Sequence, residues 1–382
     1  MRICFVANQV AAWGKIGGFG VNLRRLGGAL ARTGVDVHVV VPRRYGQGTV
    51  EQLDGMTVHG ISWAAIFGGS SVYREIDAEI YHLQEPTIAG FWTRRALPDR
   101  IHLVTSMDPR DSDDWYTEFW HATWQRRLKA PGQWFYEDGA LVRQTVRAAD
   151  GVYVEAECLR EKAQRHYRLP ALPEVLPKPI PIPTGPFIKA PQPLCVFVAR
   201  LDPRKRPEMF LQIARAVPEY KFILIGRAQD ASYQRHLERL FQGIPNLEVT
   251  GFLDPFANQQ MFDILSRAWV LVHPAQREGL ATAFQEASVH ETAILAQVDP
   301  GGYVTQFGHV MSPGATVAEW AEALRELIGS GAWKARGEAG RVYNMQQHAI
   351  EVSVSRHRHV YQQHLDRVVQ RDGPREAISE AL

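Results

Sequence analysis

Cysteine is scarce in this chain. Cys4, Cys158 and Cys195 are odd in number and share no metal-ligand spacing, so neither a disulfide framework nor a cysteine-held metal is expected, and free thiols in a reducing cytoplasm are. Long apolar runs are lacking as well. None approaches the roughly 18 consecutive apolar residues that span a bilayer, and the run Ile3 to Ala7 is too short for the hydrophobic region of a signal peptide. Charge of one sign is not in excess. The net charge is +2 and no basic run reaches five residues, which argues against nucleic acid as the main partner. Association with a membrane surface stays open.

What is present is length and apolar content. With 382 residues and 45% hydrophobic composition, the chain can build two domains, each with its own core. Arg2-Ile3-Cys4-Phe5-Val6-Ala7 reads as a buried strand, followed by Gly14, Gly17, Gly18 and Gly20 before a helix over 21–32 and a strand over 35–41. That is the opening of a doubly wound α/β domain. Leu194-Cys195-Val196-Phe197-Val198-Ala199 repeats it, after seven prolines between 177 and 193 that mark an extended linker. Two similar halves follow: 1–185 and 186–345, with a helical tail over 346–382 expected to return to the first.

The glycine loop is not a dinucleotide fingerprint. Gly17-Gly18-Phe19-Gly20 lacks the G-x-G-x-x-G spacing, and the next strand ends in Val41-Pro42-Arg43 with no acidic residue, so a nicotinamide cofactor is not expected. Bare backbone there suits either a tight turn or the approach of a ligand's phosphate or sugar. A strand over 77–83 should carry His82 to its carboxyl end. Another over 101–105 leads into Asp108, Arg110 and Asp111, either ligand-facing or a solvated turn. Between Trp115 and Tyr136, eight aromatic residues interleave with Arg126, Arg127 and Lys129, a pattern that fits core packing, a membrane interface or an acceptor pocket.

In the second half, strands over 194–199, 221–225, 247–250 and 269–273 alternate with helices over 207–216, 232–241 and 255–266, as in a parallel sheet. Arg200-Leu201-Asp202-Pro203-Arg204-Lys205-Arg206 puts four cations at the end of the first of these strands. Guanidinium forks and an ammonium charge fit a diphosphate, and cations held there would stabilise charge developing on a leaving group. After Trp269-Val270-Leu271-Val272, Glu278 falls in the strand-to-helix loop and Glu286 inside a helix over 281–291. The amides of Gly279, Leu280 and Ala281 then mark an anion site at that helix's positive end.

Taken together, Gly17-Gly18-Phe19-Gly20, Val198-Ala199-Arg200-Leu201 followed by Lys205, the Glu278 to Glu286 E-x7-E spacing and Gly301-Gly302 resemble the retaining glycosyltransferases of family 4. The resemblance covers nearly the whole chain and implies the GT-B fold, two Rossmann-like doubly wound α/β domains facing a central cleft. It implies that Arg200 and Lys205 hold the donor's diphosphate, that Glu278 lies beside the donor sugar with the Gly279 to Thr282 amides, and that Glu286 takes the ribose hydroxyls. Gly17 and Gly18 would lie against the donor from the first domain, with the base near Gly226, Arg227, Phe252 and Leu253. The leaving diphosphate would help deprotonate the acceptor, with no metal and no cofactor beyond a UDP- or GDP-linked hexose.

Departures from the family pattern are visible. Met107-Asp108 replaces a histidine followed by aspartate, and Pro177-Lys178-Pro179-Ile180 replaces an asparagine-glycine segment. Thr305-Gln306 stands where the family's acidic residue is common. Asp108 is therefore expected with the catalytic group, and His82, Arg110 and Asp111 on the acceptor side, facing a small-molecule, glycan or lipid-linked acceptor. A sugar-nucleotide epimerase and a silent sugar-nucleotide or glycan-binding protein are the alternatives.

Overall fold

A computed structural model describes residues 1–14, 17–66, 71–122 and 124–372. The chain divides into two compact units. One comprises Met1–Arg110, Lys129–Pro179 and the chain from Ile350, and the other Asp111–Leu128 and Ile180–Ala349. The division thus falls at 179/180 and 349/350, with 111–128 grouped in the second unit.

The first unit is built on β1 (Arg2–Ala7), β2 (Asp36–Pro42), β3 (Val50–Leu53), β4 (Met56–Ile61), β5 (Ile80–Gln84), β6 (Ile101–Ser106), β7 (Gly151–Val154) and β8 (Glu174–Val175). Their order is β3-β4-β2-β1-β5-β6-β7-β8, and among the described residues every pairing is parallel except β3 with β4. The fully buried pattern of β5 and β6 fits strands covered on both faces. Because β2 lies on one side of β1 and β5 on the other, the chain reverses its direction of winding between β1 and β5. Ligands of open α/β sheets bind at that kind of junction, outside the carboxyl ends of the strands.

The first helix spans Gly18–Arg32, so it begins three residues before the expected position and takes Gly18 and Gly20 into its first turn. A Cβ on Gly20 would lie 3.0 Å from the Ala11 amide nitrogen, which itself donates to the Gly20 carbonyl at 3.1 Å. Glycine is what allows the loop after β1 to lie on that turn. The β3/β4 hairpin and the helix Ala332–Gln347 have no counterpart in the sequence reading.

The second unit carries β9 (Leu194–Val198), β10 (Lys221–Ile225), β11 (Leu247–Gly251), β12 (Val270–His273), β13 (Ala293–Ala296) and β14 (Gly308–Val310), ordered β11-β10-β9-β12-β13-β14. Here the reversal lies between β9 and β12. Phe197, Phe210, Phe222 and Trp320 are buried in its core, each side chain stabilising the fold by about 2–3 kcal/mol. The helix expected over 255–266 starts only at Gln260, because Asp254 and Asn258 turn their carboxylate and carboxamide oxygens onto the amides of Phe256 and Gln260.

The last helix, Ile350–Asp372, packs on the first sheet and contributes Val354, Val360 and Tyr361 to its core. The remainder of the expected tail, 373–382, lies outside the described residues. No described helix is long and apolar enough to cross a membrane.

Candidate anion site of the second unit

Carboxyl ends of β9 and β12, the two strands flanking the winding reversal, hold most of the residues expected to bind donor. Past β9 the chain forms a short 3-10 turn, Pro203–Lys205, capped by Asp202, whose carboxylate accepts from the Arg204 amide at 3.2 Å. The same buried carboxylate accepts from Arg204 Nε at 3.0 Å and lies 3.7 Å from Arg200 Nη2. Asp202 thus fixes the turn that carries Arg204 and Lys205, with Arg200 before it and Arg206 directly after.

Lys205 Nζ pairs with Glu278 Oε1, and the same oxygen accepts from His273 Nε2 at 2.8 Å. His273 ends β12, wholly buried, its ring stacked on Phe197 and edge-on to Phe284. Burial alone would raise the Glu278 carboxyl, but the Lys205 ammonium and the His273 hydrogen bond outweigh it and hold the group well below the usual carboxylate range. Glu278 is an ionised anchor for Lys205.

The helix after the loop spans Thr282–Val289, shorter than the expected 281–291. Ala281 is its N-cap and provides no side-chain cap, and the first turn contains no acidic residue. The Phe284 amide donates to the Ala281 carbonyl at 3.0 Å, and no side chain caps the turn before it, so the positive end of the helix dipole favours an anion there. Gly279 and Leu280 lie in the approach to this turn, and Glu286 is buried one turn further along. At the neighbouring strand ends, Gly226 has φ of +153° and leaves no space for a Cβ, which would sit 2.0 Å from the Ala199 carbonyl oxygen. Arg227 and Phe252 are exposed there, and Leu253 is largely buried.

The second unit also contains a charge cluster that the sequence reading missed. Helix Ser112–His121 is capped by Asp111 in a reciprocal capping box with Asp114. Arg277 donates from Nε to Asp114 at 2.6 Å and from Nη1 to Glu118 at 3.1 Å, while Arg204 Nη1 lies 3.2 Å from Glu118. The i, i+4 spacing of the two acids was a readable signal, but their partners lie more than 80 residues away. The other face of this segment is open: Tyr116, Phe119, Trp120, Trp124 and Leu128 are exposed, with the Arg127 guanidinium over the Phe119 and Trp120 rings. Core packing is therefore not the role of these aromatics. The side chain of Arg126 lies outside the described residues.

In the first unit, His82 is corrected. It sits in mid-strand, fully buried, with Nδ1 2.8 Å from Tyr361 Oη and Nε2 2.8 Å from Thr105 Oγ1. Both ring nitrogens are satisfied inside the core, and burial holds the imidazole well below its usual range. Arg110 pairs with Glu137, and Asp111, which belongs to the second unit, caps the helix Ser112–His121. Gly17 is the N-cap of the first helix, its missing Cβ leaving room for the Gln9 amide at 3.1 Å, and Gly18 is exposed beside it. Asp108 donates its backbone amide to Glu85 at 3.2 Å. Glu85, at the carboxyl end of β5, went unnoticed in the sequence.

Residues 192–330 match the family model of glycosyl transferases group 1, and residues 2–103 match that of the starch synthase catalytic domain. Among solved structures, the sucrose-phosphate synthase of Thermosynechococcus elongatus is 17% identical at a TM-score of 0.74, covering 96% of this chain and 99% of that one. The Anabaena protein HepE, solved with UDP-glucose, is 14% identical at a TM-score of 0.69, covering 95% and 100%. WaaG, a glycosyltransferase involved in lipopolysaccharide biosynthesis, is 16% identical at a TM-score of 0.67, covering 92% and 97%. No curated protein sequence matches the chain. At these identities the structural likeness establishes the fold, which is GT-B.

Proposed function

We propose that this chain, a GT-B glycosyltransferase in fold and in family match, moves a hexose-type sugar with retention from a UDP- or GDP-linked donor to a hydroxyl-bearing acceptor. One observation carries the reading: at the winding reversal of the second sheet Arg200 lies just past β9 against Asp202, and Lys205 ends the Asp202-capped turn and pairs with Glu278 in the loop that leads to the uncapped start of Thr282–Val289. A diphosphate fits that arrangement, because guanidinium and ammonium groups and the positive end of a helix each favour an anion. The same charges act harder as the bond between sugar and diphosphate breaks, since negative charge then builds on the departing oxygen. A metal is not required for that role.

Retention by a covalent, glycosidase-like route would want a free carboxylate nucleophile about 5 Å from an acid partner, and Glu278 is engaged by Lys205 and His273, so the retention proposed here follows the front-face route in which the leaving diphosphate helps deprotonate the acceptor. Glu286, on the following helix, is assigned to the ribose. The exposed aromatics around Trp120, with Arg127 across them, favour an acceptor with an apolar or lipid-linked part and a peripheral membrane contact. Unpaired Cys4, Cys158 and Cys195 suit a cytoplasmic setting.

The experiment is a donor panel. Purified protein incubated with UDP-, GDP- and ADP-glucose should release nucleoside diphosphate from at least one, and proton NMR of the product should show the donor's anomeric configuration. A protein that converts the sugar without releasing nucleotide, or leaves all three donors intact, ends the glycosyltransferase reading.

A further inference from the structure

A recess of the first unit lies outside the carboxyl ends of β5, β6, β7 and β8, the edge at which open α/β sheets take their ligands. Its polar lining is Asn22 from the first helix, Gln84 at the end of β5, Glu155 directly after β7, Lys178 beyond β8 and His357 from the last helix. All five residues are buried, none more than 6% exposed.

Buried polar atoms are ordinarily hydrogen-bonded, and three of these are not. Asn22 Oδ1, Gln84 Nε2 and Glu155 Oε2 have no protein partner among the described residues. Reversing either carboxamide exchanges its nitrogen and oxygen but leaves the same place unfilled. The rest of the lining is held. Glu155 Oε1 accepts from Lys178 Nζ at 3.0 Å, which leaves Oε2 as the open oxygen of that carboxyl. His357 Nδ1 lies 2.8 Å from the Ser353 carbonyl oxygen, which can only accept, so Nδ1 carries the hydrogen and Nε2 is an acceptor. Burial brings this imidazole down to about 4, so it is neutral at pH 7.

The chemistry of these atoms selects what fits among them. A cation would satisfy the oxygens but meet the Gln84 N–H and the Lys178 ammonium, and an anion would meet the Glu155 carboxyl. An apolar group would leave all three open atoms unpaired. A hydroxyl is neutral, donates one hydrogen bond and accepts others. The recess has room for one water-sized group, which is the size of a hydroxyl.

We propose that this recess is a hydroxyl-recognition site contained within the first unit, taking one hydroxyl of a sugar or polyol, with Gln84 donating to the hydroxyl oxygen and Glu155 Oε2 accepting its hydrogen. Binding at this site does not depend on a nucleotide. Only the naming of the ligand as the acceptor rests on the glycosyltransferase reading, and in that case the recess selects among acceptors and takes no part in moving the proton. A compound lacking the hydroxyl leaves buried polar atoms unpaired, which is the strongest basis a site has for rejecting it.

The test uses the full chain without nucleotide and five probes: glycerol, glucose, fructose, myo-inositol and sucrose. Saturation-transfer NMR should detect at least one of them on the wild type, and titration gives its Kd. Gln84→Met, close in size and shape but without the amide, removes an unpaired buried donor, so it should melt no lower than wild type and bind the same probe at least about tenfold more weakly. Gln84→Leu should behave alike. Equal affinity in the wild type and in whichever of these variants folds overturns the proposal. So does the absence of binding by all five probes, which would mean that the recess holds water alone. The donor panel reads the enzyme assignment separately: a bound probe together with inert donors keeps this site and sinks the glycosyltransferase reading.

Discussion

Arg277 Nε lies 2.6 Å from Asp114 Oδ1, joining the loop before Thr282–Val289 to a helix some 160 residues earlier in the chain. Glu118 extends the contact to Arg204. Two of the cations around the anion site are thereby offset by carboxylates that a diphosphate does not need.

Neutralising those carboxylates should make the site more attractive to anions. In Asp114→Asn/Glu118→Gln, UDP affinity should rise about fivefold, roughly 1 kcal/mol, and the gain should shrink as salt is raised. Calorimetric titration at low and high salt measures both. Weaker binding in the double variant would mean that Asp114 and Glu118 hold the arginines in place for the nucleotide.

Lys205 and Glu278 should be coupled in stability as well as in turnover. Lys205→Ala leaves a mostly buried carboxylate with only His273, at a cost of about 2 kcal/mol at pH 7. The folded Glu278 carboxyl lies well below its ordinary 4.5, so its contribution is present above that pH and fades as pH falls toward the folded value. Melting temperatures of wild type and Lys205→Ala should therefore converge below about pH 4.5. A constant difference down to strong acid would remove the ion pair as the cause.

Glu85 predicts the opposite pH dependence. The folded chain holds this proton more tightly than the unfolded chain, so the stability it contributes is complete below about pH 4.5 and is lost as pH rises through about 8. Glu85→Gln cannot ionise and should gain on wild type in melting temperature between those limits. Parallel melting curves across that window would show that the carboxyl is not perturbed.

Gly226→Ala should be among the most damaging single changes in the second unit. Its Cβ would sit 2.0 Å from the Ala199 carbonyl oxygen, at a φ of +153°, so β9 and β10 would have to part. A loss of at least about 3 kcal/mol is expected, read as a large drop in melting temperature with loss of UDP binding. A variant that melts within about 2 °C of wild type would show that the two strand ends have slack.

The parts of the molecule legible in the sequence are those written by local patterns. Continuous apolar runs marked β9, β10 and β12. Asp202-Pro203 and its cations announced a turn because proline and aspartate act on their own neighbours. Where a side chain competes locally for backbone amides, as Asp254 and Asn258 do, the apolar period misjudged the helix start.

His82 and Glu85 show what the sequence by itself leaves undecided. They lie three residues apart on one strand and its exit; His82 was expected on the acceptor side, and Glu85 was given no role. Register sets His82 against Tyr361 of the final helix, which arrives from 279 positions away, and its imidazole is consumed by the core. Glu85 gains its meaning from the Met107 and Asp108 amides at the end of the adjacent strand. Arg277 likewise reads as one more loop cation until Asp114 and Glu118 are brought to it. The sequence determined the two sheets and the turn that presents Arg200 and Lys205, because those depend on short-range periodicity and turn chemistry. Only the tertiary structure decided which charges are offset and that His82 and Glu85 are buried, because burial and long-range pairing set the free energy of an ionisable group.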